Sequence, residues 1–336
     1  MLVILSDDED ASTHYVIDWL LHLKIQYYRI NDTSSVSIEY IVDKSNNIEF
    51  ILNVKNSHSK NYISISTDEI YAFWYRRGCI NLNQPIITNS SSDEFDIVKE
   101  RINKYMDEEN SKIVDFLHSY FTTIPHLGCF KDNFSINKLF ILQQAKQEKM
   151  LTPHFMIANN KSTVKQFIHK HTYCIVKGID KNGFTIRKKI VLSNLSKLVS
   201  ASELEHFPEN FNYSFIQQYI DKKADIRVFY LDGKIFSTAI FSQNDEKTKI
   251  DFRNYNEEKP NRIQPFKMPE VEKKKLRKLM NKLNYKTGSI DYLLDKNSNL
   301  YFLEINPIGQ YGFISQKCNL FLDKEICKYF KQRCNV

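Results

Sequence analysis

The sequence predicts an α/β chain in which a parallel-sheet domain comes first and antiparallel hairpins dominate later. Two observations carry this. Residues 2–31 read strand, helix, strand, an order that builds parallel pairs covered by helices. From residue 215 onward, apolar and β-branched runs are separated by short turn signals, Asp232-Gly233 above all. The chain is globular and roomy enough for two or three domains, with 336 residues and 42% hydrophobic content. Eight Gly and eight Pro leave little room for linkers or glycine-rich loops.

The elements follow in order. "LVILS" at 2–6 is a short apolar strand ending in acids. Residues 12–23 carry apolar side chains at helical spacing, with Ser12 or Thr13 as the expected N-cap. "QYYRIN" is the next strand, and "IEYIVD" and "IEFILN" form a hairpin about "KSNN". "EIYAFWYRR" at 69–77 is a further strand ending in two arginines, and 91–121 is a long helix opened by acids. The composition changes at 122–135, where a domain boundary is expected. A capped amphipathic helix at 135–150 precedes a loop and strand at 151–160. Residues 173–193 read as two strands about a turn at Lys181-Asn182-Gly183. Strand, loop and hairpin fill 215–243, a helix lies near 270–283, and a second hairpin spans 288–307 about "DKNSN". The expected domains are 1–124, 125–214 and 215–336.

Composition excludes several functions. Net charge is +7, with 47 basic against 40 acidic residues, and the excess is spread along the chain. The run "EKKKLRK" at 272–278 reads as the solvated face of a helix, so nucleic acid is not an expected partner. No apolar stretch reaches membrane-spanning length, and the start "MLVILSDDED" lacks a basic secretory n-region. The six cysteines, at 79, 129, 174, 318, 327 and 334, form no CxxC pair. These features point to a cytoplasmic protein with free thiols. No Ser, His or Cys nucleophile constellation, phosphate-binding P-loop or GxGxxG occurs.

The chemistry concentrates in "LYFLEINPIG" at 300–309. Glu304 and Asn306 are two apart in a strand and share a face. If Asp295 and Leu300 close the hairpin, Asp291 lies across from Glu304. Two facing carboxylates repel, and a cation resolves the conflict. Two carboxylates and an amide suit Mg²⁺ or Mn²⁺ rather than zinc, and Mg²⁺ commonly sits against phosphates. The alternative is an edge hairpin with both acids in solvent. Lys177 ends an apolar run, where its charge calls for an anion such as phosphate unless it snorkels to the surface. Lys138, in the first turn of its helix, has the same two readings. Arg227 sits within a strand-like run, positioned for a phosphate or carboxylate, or for a salt bridge to Asp225 or another acid. Arg253 in "IDFRNY" reads likewise. "FIQQYID" at 215–221 can offer backbone groups to an adenine edge, with Asp221 toward a ribose hydroxyl.

Asn137-Lys138, "IVKG", "FIQQYID", "DIRVFYLDGKIFSTAIFSQ", "IDFR" and "SIDYLLDKNSNLYFLEINPIGQYG" together resemble the landmarks of an ATP-grasp ligase over nearly the whole chain. "WYRR", "DFR" and "NPIGQYG" resemble one branch, the microviridin-type graspetide maturases of the grasp-with-spasm kind. The resemblance implies an ATP-grasp fold with an N-terminal pre-ATP domain, a central domain and a C-terminal antiparallel-sheet domain. It implies that Lys138 and Lys177 bind ATP phosphates and that Gln217, Gln218, Tyr219 and Ile220 form the adenine hinge, with Asp221 near the ribose. Asp291, Glu304 and Asn306 would hold Mg²⁺. Arg227 and Lys177 would be catalytic, and Arg253 would meet a substrate carboxylate or phosphate. The implied partner is a ribosomal precursor peptide whose leader docks near 178–195. The implied reaction joins an activated Asp or Glu side chain to a Thr or Ser hydroxyl, or a Lys amine, closing a ring. A homodimer is compatible with it. Addition of a free amino acid to a peptide or small carboxylate is the alternative reaction. One departure is visible: the stretch after Lys177, "GIDKNGFTIRKK", has only two glycines where many such enzymes carry a glycine-rich loop.

Overall fold

Burial of the first strand organises the N-terminal part of the protein. The computed structural model describes residues 1–336 except 46, 84–92, 135, 180–183, 187–189, 193–195, 255 and 334–336. The chain forms two compact units, Met1–Ser135 with Phe321–Val336, and Ile136–Leu320.

In the first unit, β1 (Leu2–Ser6) is entirely buried. It is followed by α1 (Ala11–His22) and β2 (Tyr27–Asn31), which pairs with β1 in parallel. The cap of α1 is Asp10, not Ser12 or Thr13. Its carboxylate accepts from the Thr13 amide at 3.2 Å and the Thr13 hydroxyl at 2.7 Å, which draws both expected caps into the first turn. The antiparallel strands β3 (Ser35–Lys44), β4 (Asn47–Lys55) and β5 (Ile63–Ser66) form a sheet of their own. The chain then returns through β6 (Ala72–Tyr75) to the other side of β1. After α2 (Asp93–Tyr120), β7 (His126–Leu127) completes a four-stranded parallel sheet of order β2-β1-β6-β7, and α3 (Lys131–Phe134) follows.

The second unit opens with α4 (Lys138–Gln147), capped by Asn137, whose side chain accepts from the Phe140 amide. Then come β8 (Phe155–Asn160), α5 (Lys161–His171) and β9 (Cys174–Lys177). The expected hairpin over 173–193 is not formed as read. β9 pairs with β12 (Lys197–Val199) and β13 (Asn210–Gln218), while β10 (Phe184–Ile186) and β11 (Ile190–Leu192) pair with each other. An apolar alternation shows that a strand exists but not which strand completes it. The predicted turn at 181–183 lies outside the described residues. With α6 (Ala201–Leu204) between β12 and β13, the first sheet of this unit runs β12-β9-β13-β8.

The second sheet holds the hairpins. β14 (Lys222–Leu231) turns into β15 (Lys234–Phe241) through Asp232 and Gly233, at φ 45° and 90°. This is the left-handed pair that a two-residue hairpin requires. β16 (Arg262–Pro265), α7 (Glu270–Lys282), β17 (Thr287–Asp295), β18 (Leu300–Asn306) and α8 (Gly312–Lys317) follow. The strand order is β16-β15-β14-β17-β18, antiparallel throughout. One face packs on α4 and α7. Ile226, Val228 and Tyr230 of β14, Ile290 and Tyr292 of β17, and Phe302 and Ile305 of β18 meet Leu142, Leu276 and Leu279 there. Each large side chain buried this way contributes roughly 1.5–3 kcal/mol. The opposite face of the same strands carries Arg227, Asp291 and Glu304.

The final helix α9 (Leu322–Arg333) belongs to the first unit and packs on α1, where the Cys327 thiol reaches the Val16 carbonyl.

Candidate active site

The β17–β18 hairpin pairs Asp291 directly with Glu304, as expected, but for a different reason. The hairpin closes on Leu294 and Leu300, not on Asp295 and Leu300. A bulge between Asp291 and Tyr292 then restores the pairing. The bulge also decides which face Glu304 takes. Under strict alternation Phe302, Glu304 and Asn306 would share one face. With the extra residue, Phe302 and Ile305 both enter the core, and Glu304 turns to the face opposite them.

On that face Asp291 is buried, the Glu304 side chain is 13% exposed, and each carboxylate is met by a basic side chain. Arg227 lies across from Asp291 in the β14–β17 ladder, and its Nη1 donates to both Asp291 oxygens at 2.6 and 2.8 Å. This is the acid partner of Arg227. Asp225 instead binds Lys222 at 2.7 and 2.8 Å and accepts from the Ser242 hydroxyl at 2.7 Å. Burial raises the Asp225 carboxyl, and Lys222 opposes it. Lys138, reaching in from α4, is 2.9 Å from Glu304. Burial works against ionisation of Glu304, but Lys138, Lys177 and Arg253 outweigh it and hold the carboxyl well below the usual range. So two opposed carboxylates stand among four basic side chains, Lys138, Lys177, Arg227 and Arg253.

Lys177 ends β9, and its ammonium makes no hydrogen bond or ion pair among the described residues and lies 5.5 Å from the Phe215 ring centre. Burial, then repulsion from Lys138, pushes it down to about 8. An amine so placed has room for an anion. Arg253 is clamped by Asp251, with Nε and Nη2 donating at 2.8 and 2.6 Å, and its Nη1 lies 4.0 Å from Glu304. The Asp251 hydrogen bond raises the Arg253 guanidinium above its ordinary value. Asp251 also accepts from the Ser196 hydroxyl at 3.2 Å. A cleft lined by Lys177, Gln217, Asp251, Arg253, Asp291 and Glu304 brings these groups together.

The end of β13 and the two residues after it border that cleft. Gln217, Gln218, Tyr219 and Ile220 all line it. Gln217 is 3% exposed, and its amide nitrogen is buried without a partner, a donor available to an acceptor in the cleft. Gln218 is tied to the His154 backbone through its amide and its side-chain oxygen. Asp221 is exposed, pairs with Lys296 at 2.5 Å and lines a neighbouring depression rather than the cleft.

No group of three His, Cys, Asp or Glu side chains suited to a metal occurs among the described residues. The donor set present is two opposed carboxylates with the Asn306 amide two residues on, all oxygen donors, which fits Mg²⁺. Sequence reasoning did not find Asp251 or Ser196, which line the cleft. "IDFR" held a signal for Asp251, since an acid two residues before an arginine can form a local pair.

The family model described as the RimK-like ATP-grasp domain matches residues 135–330, and the chain belongs to that family. The resemblance of its sequence motifs to an ATP-grasp ligase is thereby borne out. Solved structures extend the likeness of fold over the whole chain. The Microcystis aeruginosa macrocyclase MdnC, solved bound with precursor peptide MdnA, is 21% identical, with a TM-score of 0.71 and 98% of each chain covered. A Chryseobacterium gregarium RiPP-associated ATP-grasp ligase, solved with ADP and a leader and core peptide, is 19% identical, with a TM-score of 0.74, 99% of this chain and 96% of that one covered. The ATP-grasp ligase PsnB, solved with minimal precursor, Mg and ADP, is 13% identical, with a TM-score of 0.67, 99% of this chain and 97% of that one covered. No curated protein matches the chain by sequence. Among the described residues no helix is long and apolar enough to cross a membrane.

Proposed function

We propose that the protein is an ATP-dependent peptide macrocyclase that activates Asp or Glu side chains of a ribosomal precursor peptide. The observation that carries this is the array of Lys138, Lys177, Arg227 and Arg253 around the opposed Asp291 and Glu304. Such an array suits a triphosphate and the anion formed from it. MdnC and PsnB, which share the fold, were solved with precursor peptides, and this supports a peptide substrate.

The peptide carboxylate attacks the γ-phosphorus of ATP, the bond to ADP breaks, and an acyl phosphate forms. A Thr or Ser hydroxyl of the same peptide then attacks the acyl carbon. Phosphate leaves with the bonding electrons and takes the hydroxyl proton, and an ester closes the ring. A Lys amine in that role yields an amide. Lys138 and Lys177 bind the phosphates. Arg227, oriented by Asp291, steadies the transferring phosphoryl group. Arg253 receives the substrate carboxylate. Asp291, Glu304 and Asn306 hold Mg²⁺, which when bound offsets phosphate charge. No enzyme nucleophile is required. Gln217 to Ile220 seat the adenine, and the segment 178–195 of the central region docks the leader.

The test is mass spectrometry of a candidate precursor incubated with the protein, ATP and Mg²⁺. Loss of one water per ring, with ADP formed, supports the proposal. ADP formation only with free amino acids, and a gain of amino-acid mass, would replace it with the free-amino-acid ligase. Deleting the 178–195 segment without loss of leader affinity would reject that docking site alone.

A further inference from the structure

Beyond the ligand set lies a segment that the proposed chemistry does not use, "PIGQY" at 307–311. It follows β18 directly and folds back over the start of β17. The Gly309 amide donates to the Asn306 carbonyl at 2.9 Å, closing a tight turn on that residue. A Cβ at Gly309 would stand 2.5 Å from the Ser289 Cβ, 2.9 Å from the Ser289 hydroxyl oxygen and 2.9 Å from the Asn306 Cβ. Real Cβ atoms do not approach so closely, so only glycine lets the turn lie against both side chains. Ser289 is fully buried and is the ladder partner of Asn306.

The next residue ties the turn to the arginine. The Gln310 carbonyl accepts from Arg227 Nη2 at 2.9 Å and from the Ser289 hydroxyl at 3.2 Å. Arg227 is thus held at two corners, by Asp291 on Nη1 and by the turn on Nη2. Tyr311, 2% exposed, anchors the end of the turn on the Phe229 ring at 4.7 Å. One small packed unit therefore touches Asn306 on one side and Arg227 on the other.

We propose that Ser289 and Gly309 are positioning residues that set Asn306 and Arg227 in one geometry, so that metal binding and phosphoryl stabilisation are coupled through the Gln310 carbonyl. The proposal rests on the reading of Asn306 as a metal ligand. A longer side chain at 309 pushes the turn off β17, which withdraws the Gln310 carbonyl from Arg227 and displaces Asn306. Supporting residues of metal ligands of this kind change affinity by about 10- to 100-fold when altered.

The test measures Mn²⁺ binding to the protein saturated with ADP, by electron paramagnetic resonance, with ADP affinity measured separately without metal. Asn306→Ala is the control. If it leaves Mn²⁺ affinity unchanged, the ligand reading fails and this proposal falls with it. Given a loss in that control, Gly309→Ala weakens Mn²⁺ binding about 10-fold or more while metal-free ADP binding stays within about twofold. Ser289→Gly in the Gly309→Ala background removes two of the three clashes and restores part of the loss, which a general folding defect would not show. Ser289→Ala, which introduces no clash, weakens Mn²⁺ binding severalfold through loss of its bond to Gln310 and covers the case in which Gly309→Ala does not fold. Mn²⁺ affinity unchanged in Ser289→Ala and in Gly309→Ala, or ADP affinity falling as far as Mn²⁺ affinity, overturns the proposal and leaves the ligand reading standing.

Discussion

Nucleotide binding is expected to draw a proton onto Lys177. Its ammonium is pushed from its ordinary 10.5 to about 8, first by burial and then by Lys138. At about 1.4 kcal/mol for each tenfold change, that is about 3 kcal/mol of charge held at a cost in the ligand-free protein. The unfolded chain keeps this proton up to 10.5 and the folded one only to about 8. Stability therefore rises as pH climbs through that window, and the cost is constant below it. A phosphate beside the amine favours the charged form and recovers part of the cost. At pH 8 roughly half of Lys177 is neutral in the free protein, so binding of ADP takes up about half a proton per site. Calorimetry at pH 8 in two buffers of different ionisation enthalpy reads this uptake directly. Lys177→Gln removes it. Equal uptake in the two proteins, or none in either, would refute the assignment of Lys177 to the phosphates.

Three other outcomes follow from named contacts. Arg227→Met leaves Asp291 buried without its cation, which costs about 3–5 kcal/mol in urea unfolding of the ligand-free protein, and Mg²⁺ with ADP recovers part of it. Glu304→Ala abolishes ATP-dependent modification while the protein stays folded by circular dichroism, and full activity in this variant would sink the metal hairpin. His118, stacked on Phe130 at 4.1 Å and pushed down by burial to about 4, must be neutral in the fold. Stability carried by its neutral form is complete above about 6.5 and lost as pH falls from there toward 4, and His118→Phe flattens that part of the stability profile.

How far the sequence was legible varied with the kind of interaction. Strands whose partners are adjacent in the chain, β14 with β15 and β17 with β18, could be read because turn residues mark them. β9 could not be placed, because its neighbours β12 and β13 lie 20 or more residues away and nothing local encodes them. The pairing of Asp291 with Glu304 emerged from a hairpin register off by one residue, rescued by a bulge that alternation does not reveal. Lys177 and Arg227 were visible as charges in apolar runs, where an unpaired charge is costly, and Lys138 from its place in the first turn of its helix. The acids that Lys138 and Arg227 meet were not visible: Arg227 chose Asp291 across the ladder over Asp225 on its own strand, whose side chain is occupied by Lys222. Asp221 was read toward a ribose, yet it pairs with Lys296 outside the cleft.

The central claim is tested most directly by incubating the protein with ATP, Mg²⁺ and a short precursor peptide rich in Thr, Glu and Asp, then weighing the peptide. The account predicts a loss of one water per ring, matched by ADP, absent without ATP and absent in Glu304→Ala. A peptide of unchanged mass with every candidate precursor, from a protein that still binds ADP, would contradict it.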